Sequence, residues 1–305
     1  MKASERRRQR EAQARHFVEQ VEQANQRLEQ RAGRNLPVAI LVALLFGGIV
    51  LIAALVDLWL LTAVAAIGAF FATAEIGQGL HHRDLHIMSW FAGALSLGIP
   101  FAAYKWESPG LWAGLGVAFL IYSAVTLAVR ALPTGRTGHP YLSWIAGLGA
   151  ILYVAGGIGS IGVIIAHEHG VTWLLGGLIV VVSNDTGAYA AGVLFGRHAM
   201  APRISPKKTW EGQAGALVSV VIAGTLVASL LLGLPWWVGL IIGVVLMVTA
   251  TAGDLAESSF KRWLGVKDMS NWIPGHGGFM DRLDAVIPSM PAVLVLMLLL
   301  GSLAI

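Results

Sequence analysis

Cysteine is absent from the 305 residues of this chain, so disulfide bonds, thiolate metal sites and cysteine nucleophiles are all excluded. Charge is scarce too. Asp, Glu, Lys and Arg make up 12% of the residues, where soluble domains carry roughly 25%. Hydrophobic residues reach 56%, and the mean hydropathy is +0.70. This composition excludes a soluble globular domain and indicates a polytopic membrane protein. The net charge of +4 is confined to one end: residues 1–34 hold nine Lys and Arg against five Asp and Glu, and the remainder holds twelve of each sign. The pI near 9.6 therefore marks a basic tail, and no nucleic acid is expected as a partner.

What the chain does have is a succession of long apolar segments. They lie at about 36–56, 58–79, 87–104, 110–130, 141–166, 172–194, 213–233, 235–253 and 284–305, each near the roughly 20 residues that a bilayer requires. The expected fold is all-α: a polytopic integral membrane protein of about nine transmembrane helices, with a tail over 1–34 and a membrane domain over 35–305. The tail, rich in Gln, Glu and Arg, reads as an exposed helix or a partly disordered arm near anionic lipid. It is not a signal peptide, because the apolar run after it is long and no clear small-residue cleavage site precedes further spans. With this tail in the cytoplasm, Arg83, Arg130, Arg136, Arg197, Arg203, Lys207, Lys208, Lys261, Arg262, Lys267 and Arg282 also fall inside, and only Lys105 falls outside. The positive-inside rule then expects a cytoplasmic N-terminus, an external C-terminus and polar loops on the cytoplasmic side of the cell (inner) membrane.

The main polar interruption runs from Ala252 to Pro291. Read as helix, Asp254, Glu257, Ser258 and Lys261 recur at i, i+3, i+4 and i+7, so they share one face. The run I-P-G-H-G-G then sets Gly275, Gly277 and Gly278 around His276, which lets the backbone turn sharply and aim N–H groups at an anion. Asp281 and Asp284 follow, one turn apart at the start of the last apolar segment. Carboxylates beside a glycine loop and several Lys and Arg suit Mg²⁺ and a polyphosphate, since Mg²⁺ takes few carboxylates and fills its sphere with phosphate oxygens. A solvated loop laced with salt bridges is the ordinary alternative for such a charge run.

The stretch S-S-F-K-R-W-L-G-V-K-D-M-S-N-W-I-P-G-H-G-G-F-M-D-R-L-D, ending at Asp284, resembles nearly position for position the signature of phosphatidate cytidylyltransferases, also called CDP-diacylglycerol synthases. Ser205-Pro-Lys-Lys-Thr-Trp-Glu-Gly212 is similar to the same family's upstream block, and Asn184-Asp-Thr-Gly-Ala-Tyr189 to a shorter third one. Together they span 184–291. The resemblance implies transfer from CTP to phosphatidate, giving CDP-diacylglycerol and pyrophosphate, by in-line attack with no covalent enzyme intermediate. It also implies Mg²⁺ as cofactor, leaving open whether a monovalent cation joins it, and a homodimer in the lipid bilayer. Asp254, Asp281, Lys261 and His276 become the catalytic candidates, with His276 either a phosphate donor or an organiser of the glycine loop. Asp254 and Asp281 lead the metal candidates, followed by Asp284 and Asp185. Ser205, Lys207, Lys208, Thr209, Glu211, Arg262, Lys267, Arg282 and Tyr189 become the substrate contacts. The residues alone justify only metal-assisted phosphoryl or nucleotidyl transfer at the inner face.

Other polar groups carry weaker signals. Glu75 and Gln78 lie in the cytoplasmic half of the second span, where a carboxylate costs roughly 2.5 to 3.5 kcal/mol and calls for a polar cavity or a helix–helix hydrogen bond. The turn His81-His82-Arg83-Asp84-Leu85-His86 reads as interfacial side chains that snorkel. His167-Glu168-His169 lacks a third ligand for a catalytic metal. A secondary transporter would show a repeat between its halves and polar groups near the midplane, and a CDP-alcohol phosphatidyltransferase a D-G-x-x-A-R pattern. Neither is found.

Overall fold

The computed structural model of the chain describes residues 36–131, 139–270, 272 and 277–303, with side chains from residue 44 onward. The tail expected over 1–34, Arg136 and His276 lie outside the described residues. The chain divides into two units, Met1–Val50 and Leu51–Ile305. In the first, the described part is the start of helix α1 (Leu36–Val56), an uninterrupted apolar run. The second contains α2 (Leu58–Leu80), α3 (Ser89–Arg130), α4 (Pro140–Ala166), α5 (Gly170–Phe195), α6 (Trp210–Leu226), α7 (Trp236–Leu264), the single turn α8 (Met280–Leu283) and α9 (Val286–Leu300). Among the described residues, seven helical segments are long and apolar enough to cross a membrane.

Helix α3 has 42 residues, which laid straight would run roughly 60 Å, twice the thickness of a bilayer's hydrocarbon core. It is not straight. Trp106 and Glu107 leave helical geometry, Glu107 with a φ of 54°, and Pro109 just beyond has no N–H to offer the preceding turn. A methyl group on Gly114 would lie 3.5 Å from Ala102, so residues well separated along the helix touch and the two arms fold back on each other. The spans expected at 87–104 and 110–130 are the two arms of this one element.

The all-helical expectation omits a small ribbon. Strand β1 (Ala199–Ala201) pairs antiparallel with β2 (Ser205–Thr209), Ala199 opposite Thr209 and Ala201 opposite Ser205. Strands this short leave almost no periodic signal in a sequence. β2 is the S-P-K-K-T run itself, and it feeds directly into α6, whose N-cap is Thr209: its Oγ1 accepts the Gly212 N–H at 3.1 Å.

Two packing features place the site. Ile76 and Leu80 of α2, Val154 and Ile158 of α4, Met269, Met280 and Ile287 form one buried cluster, so the chain after α7 is tied onto α2 and α4. Helix α7 also meets α9 closely, because a methyl on Gly253 would lie 2.3 Å from the Asp284 carbonyl oxygen. That contact brings Asp254 and Asp284 to one seam. Helix α7 stops at Gly265, with φ of 78°. There the Val266 N–H reaches the Lys261 carbonyl at 3.0 Å and the Gly265 N–H that of Arg262 at 3.1 Å, with Lys261 and Arg262 favourably placed in the last turn.

Candidate active site

The polar face expected on α7 forms. The Ser258 hydroxyl donates to Asp254 Oδ1 at 3.3 Å, and Lys261 Nζ contacts Glu257 Oε2 at 2.6 Å. Lys261 also reaches off its own helix to Asp281 Oδ1 at 2.7 Å. Its ammonium therefore stands between two carboxylates whose side chains are only 1% and 8% exposed. Burying ions this deeply is costly unless they pair, and the pairing fixes α8 against α7. Asp281 is held further: its Oδ2 accepts the Gly278 N–H at 2.8 Å and the Met269 N–H at 3.2 Å.

Beside this triad lies a second, more open group. Lys208 of β2 contacts Asp254 Oδ2 at 2.6 Å, with side chains 24% and 34% exposed. Successive strand residues point to opposite faces, so Lys208 turns toward Asp254 while Lys207 is exposed on the other side. Asp284 sits within electrostatic range of Asp254, Asp185 and Lys261. Asp254, Glu257 and Asp281 are thus paired with the two ammonium groups of Lys208 and Lys261, and the carboxyl groups of Asp284 and Asp185 lie in electrostatic range of this set. Like charges gathered this way favour an added cation.

Of the glycine-rich turn, residues 273–276 lie outside the described residues, and the described amides that follow face the protein's own carboxylates. The Gly278 N–H goes to Asp281, and the Phe279 and Met280 N–H groups go to Glu75, at 2.9 and 2.7 Å. Glu75, fully buried in α2, also accepts the Ser270 hydroxyl at 2.6 Å. Its presence in an apolar span was conspicuous in the sequence. Its partners, about two hundred residues further along, were not readable there.

The remaining candidates scatter. Glu211 is turned back on the chain, its carboxylate accepting the Arg197 and His198 N–H groups at 3.1 and 3.2 Å and contacting His198 Nδ1 at 2.5 Å. Thr209 caps α6. Arg262 donates to the Ile204 carbonyl at 3.3 Å, which ties α7 to the ribbon instead of to the carboxylates. Ser205 is half-buried at the start of β2, and Arg282 is half-buried on α8. Lys267 and Tyr189 are exposed. Next to Glu257 opens a cavity of about 290 Å³, lined largely by apolar side chains including Ile76, Leu80, Ala150, Tyr153, Phe260 and Met280.

For Mg²⁺ the donor chemistry is suitable though not pre-assembled: among the described residues no three His, Cys, Asp or Glu converge into a metal site. Asp254 and Asp284 offer hard oxygens at one seam, with Asp185 near. Asp281 already engages both of its oxygens with Lys261 and the two amides. Such a set fits an ion that takes one or two carboxylates and completes its sphere with phosphates and water.

A bundle of apolar helices that ends in carboxylates interleaved with lysines, with an apolar cavity alongside, is a membrane protein suited to phosphate groups at a lipid surface. The sequence model of the Cytidylyltransferase family matches residues 37–300. A phosphatidate cytidylyltransferase of Mycobacterium bovis is 37% identical over 286 residues, covering 88% of this chain and 90% of that protein. That of Mycobacterium leprae is 38% identical over 275 residues, 85% and 86% of the two chains. The Staphylococcus saprophyticus protein is 38% identical over 208 residues, 68% of this chain and 76% of that one. This chain belongs to the cytidylyltransferase family.

Proposed function

We propose that the chain is a phosphatidate cytidylyltransferase, working at the cytoplasmic face of the cell membrane. A phosphate oxygen of phosphatidate forms a bond to the α-phosphorus of CTP, the bond from that phosphorus to the bridging oxygen breaks, and CDP-diacylglycerol and pyrophosphate result. The observation that carries this reading is the buried Lys261 bridge between Glu257 and Asp281, standing beside Asp254 and Lys208. A fixed arrangement of charges is what phosphoryl and nucleotidyl transfer need most, because positioning and electrostatics supply nearly all the catalysis.

Within this reading Lys208 and the exposed Lys207 and Lys267 meet phosphates as point charges, and the apolar cavity beside Glu257 suits a lipid chain. Asp254 and Asp284 would hold Mg²⁺, with Asp185 in support. Held by these carboxylates, Mg²⁺ would supply charge neutralisation to the phosphates, including the departing pyrophosphate. Asp281 and Glu257 keep Lys261 in place. The cytoplasmic placement is supported by the sign bias of the loops, and a homodimer belongs to the same reading.

Purified protein in detergent, given labelled CTP, phosphatidate and Mg²⁺, is expected to yield lipid-soluble cytidine label and pyrophosphate in equal amounts, and to lose both when EDTA is added. Label that depends on an alcohol acceptor, or no label with any phosphatidate, would overturn the assignment.

A further inference from the structure

The geometry points to Glu75 as the positioning residue of this site, a buried carboxylate that clasps the base of the signature loop and thereby sets where Asp281 and Asp284 stand. The inference rests on the cytidylyl-transfer reading for its kinetic part alone.

Glu75 accepts from both ends of the loop at once: from the Ser270 hydroxyl near its start, and from the Phe279 and Met280 amides at its end. Asp281 does the same one step away, through the Met269 and Gly278 amides. Three consecutive amides, 278 to 280, are therefore spent on two carboxylates. The fit leaves no slack, because a methyl on Gly278 would come within 2.4 Å of Glu75 Oε1. Aromatic contacts dock the same segment onto the same helix. Phe71, one turn before Glu75, stacks on Phe279 with centroids 4.7 Å apart and meets Trp272 edge-on at 5.5 Å.

A buried carboxylate in an apolar helix is expensive, and among the described residues three donors offset that cost. Simple helix packing would be served better by an apolar side chain of similar volume. What Glu75 provides that such a side chain would not is an acceptor for two adjacent amides, and so a fixed orientation for α8. The next residue along is Asp281, facing Lys261, and Asp284 follows at the seam with Asp254. Among the described residues Glu75 makes no hydrogen bond or ion pair with them, and it holds them through the Phe279 and Met280 amides.

The natural absence of cysteine makes the test clean. Single cysteines are placed at Met280→Cys, in the clasped turn and 3% exposed, and at Ala216→Cys, buried in α6 away from it. Each is combined with Glu75→Gln, Glu75→Asp or Ser270→Ala, and labelled with a hydrophilic maleimide. Removing the charged acceptor is expected to speed labelling at position 280 by about tenfold or more while leaving position 216 protected, as local opening without global unfolding requires. On the cysteine-free background, Glu75→Gln is expected to lower kcat by about tenfold or more with KM for CTP and for phosphatidate nearly unchanged, the pattern of a lost transition-state arrangement. Glu75→Asp, which keeps the charge one methylene short, should recover part of that loss, and Ser270→Ala should lose less than Glu75→Gln.

Unchanged labelling at position 280 with unchanged kcat overturns the clasp. So does a rise in KM alone, which would make Glu75 a substrate contact, or deprotection of both positions, which would make it merely structural. If the wild type makes no CDP-diacylglycerol, the functional reading fails, and the labelling contrast by itself decides the role of Glu75.

Discussion

Asp254→Asn and Asp281→Asn are equivalent changes in sequence and should be very unequal in the protein. Asn keeps the shape of Asp but offers one acceptor oxygen and one donor group. At position 281 both oxygens are in use, one toward the Lys261 ammonium and the other toward the Gly278 and Met269 amides. Whichever way the new amide turns, it presents N–H groups to a donor. The better orientation keeps the two backbone bonds and gives up the bond to Lys261. A hydrogen bond to a charged group is worth roughly 1.5 to 3 kcal/mol, and the surviving pair weakens once the carboxylate charge is gone. The expected cost is on the order of 2 to 4 kcal/mol. At position 254 the charged partner is Lys208, with both side chains about a quarter to a third exposed, and the other oxygen accepts a long bond from the Ser258 hydroxyl, which an Asn oxygen can also accept. An ion pair of that kind contributes roughly 0 to 1 kcal/mol.

Detergent melting curves should therefore place Asp281→Asn several degrees below Asp254→Asn, at roughly 2–4 °C per kcal/mol on the scale of soluble domains of this size. Both variants should lose activity by about 100-fold or more, as expected when a preorganised charge leaves a reaction centre. Equal melting would refute the assignment of both Asp281 oxygens. Near-normal turnover in either variant would remove that residue from the centre.

Lys261→Met should be the most destabilising of the site substitutions, at roughly 3 to 5 kcal/mol, since it strands Glu257 and Asp281 without their cation; a melting point equal to that of wild type would contradict the bridge. Lys208→Gln should raise KM for CTP or phosphatidate and lower kcat, whereas Lys207→Gln, on the opposite face of β2, should act on KM alone through its charge; indistinguishable kinetics would mean that strand alternation does not divide their roles. A reporter fused after Ile305 that is active only outside the cytoplasm should score positive, in keeping with the loop charges, and a cytoplasmic signal would reverse the expected placement of the C-terminus.

Much of this site was legible because it is local. Asp254, Glu257, Ser258 and Lys261 fall on one face of α7 by helical spacing, and their contacts with one another follow. The apolar segments were equally plain, since each is a continuous run longer than a soluble helix requires. What spacing does not encode is which distant groups meet. Lys261 finds Asp281 only because the chain after α7 folds back onto α2 and α4, and Glu75 acquires its role from amides just over two hundred residues away. Composition shows that the glycine turn has N–H groups available and does not show that those of Gly278, Phe279 and Met280 are taken by Asp281 and Glu75. The hydropathy dip around Lys105 and Glu107 separates two spans in the sequence, and the two arms of α3 are those spans, joined by a two-residue break instead of a longer loop.

The ribbon between α5 and α6 imposes a constraint of another kind. Lys208 faces Asp254 and its neighbour Lys207 is exposed because adjacent residues of a strand point to opposite sides. A strand shifted by a single residue presents its other face, so deleting or inserting one residue among positions 202–204 would tend to exchange the two lysines, turning Lys207 inward at a different height and freeing Lys208. The composition of the segment, its charge and its hydropathy would all be nearly unaltered. Relatives that differ here by whole residues should therefore compensate in pairs, or carry lysine at both positions so that either register leaves one ammonium facing the carboxylate.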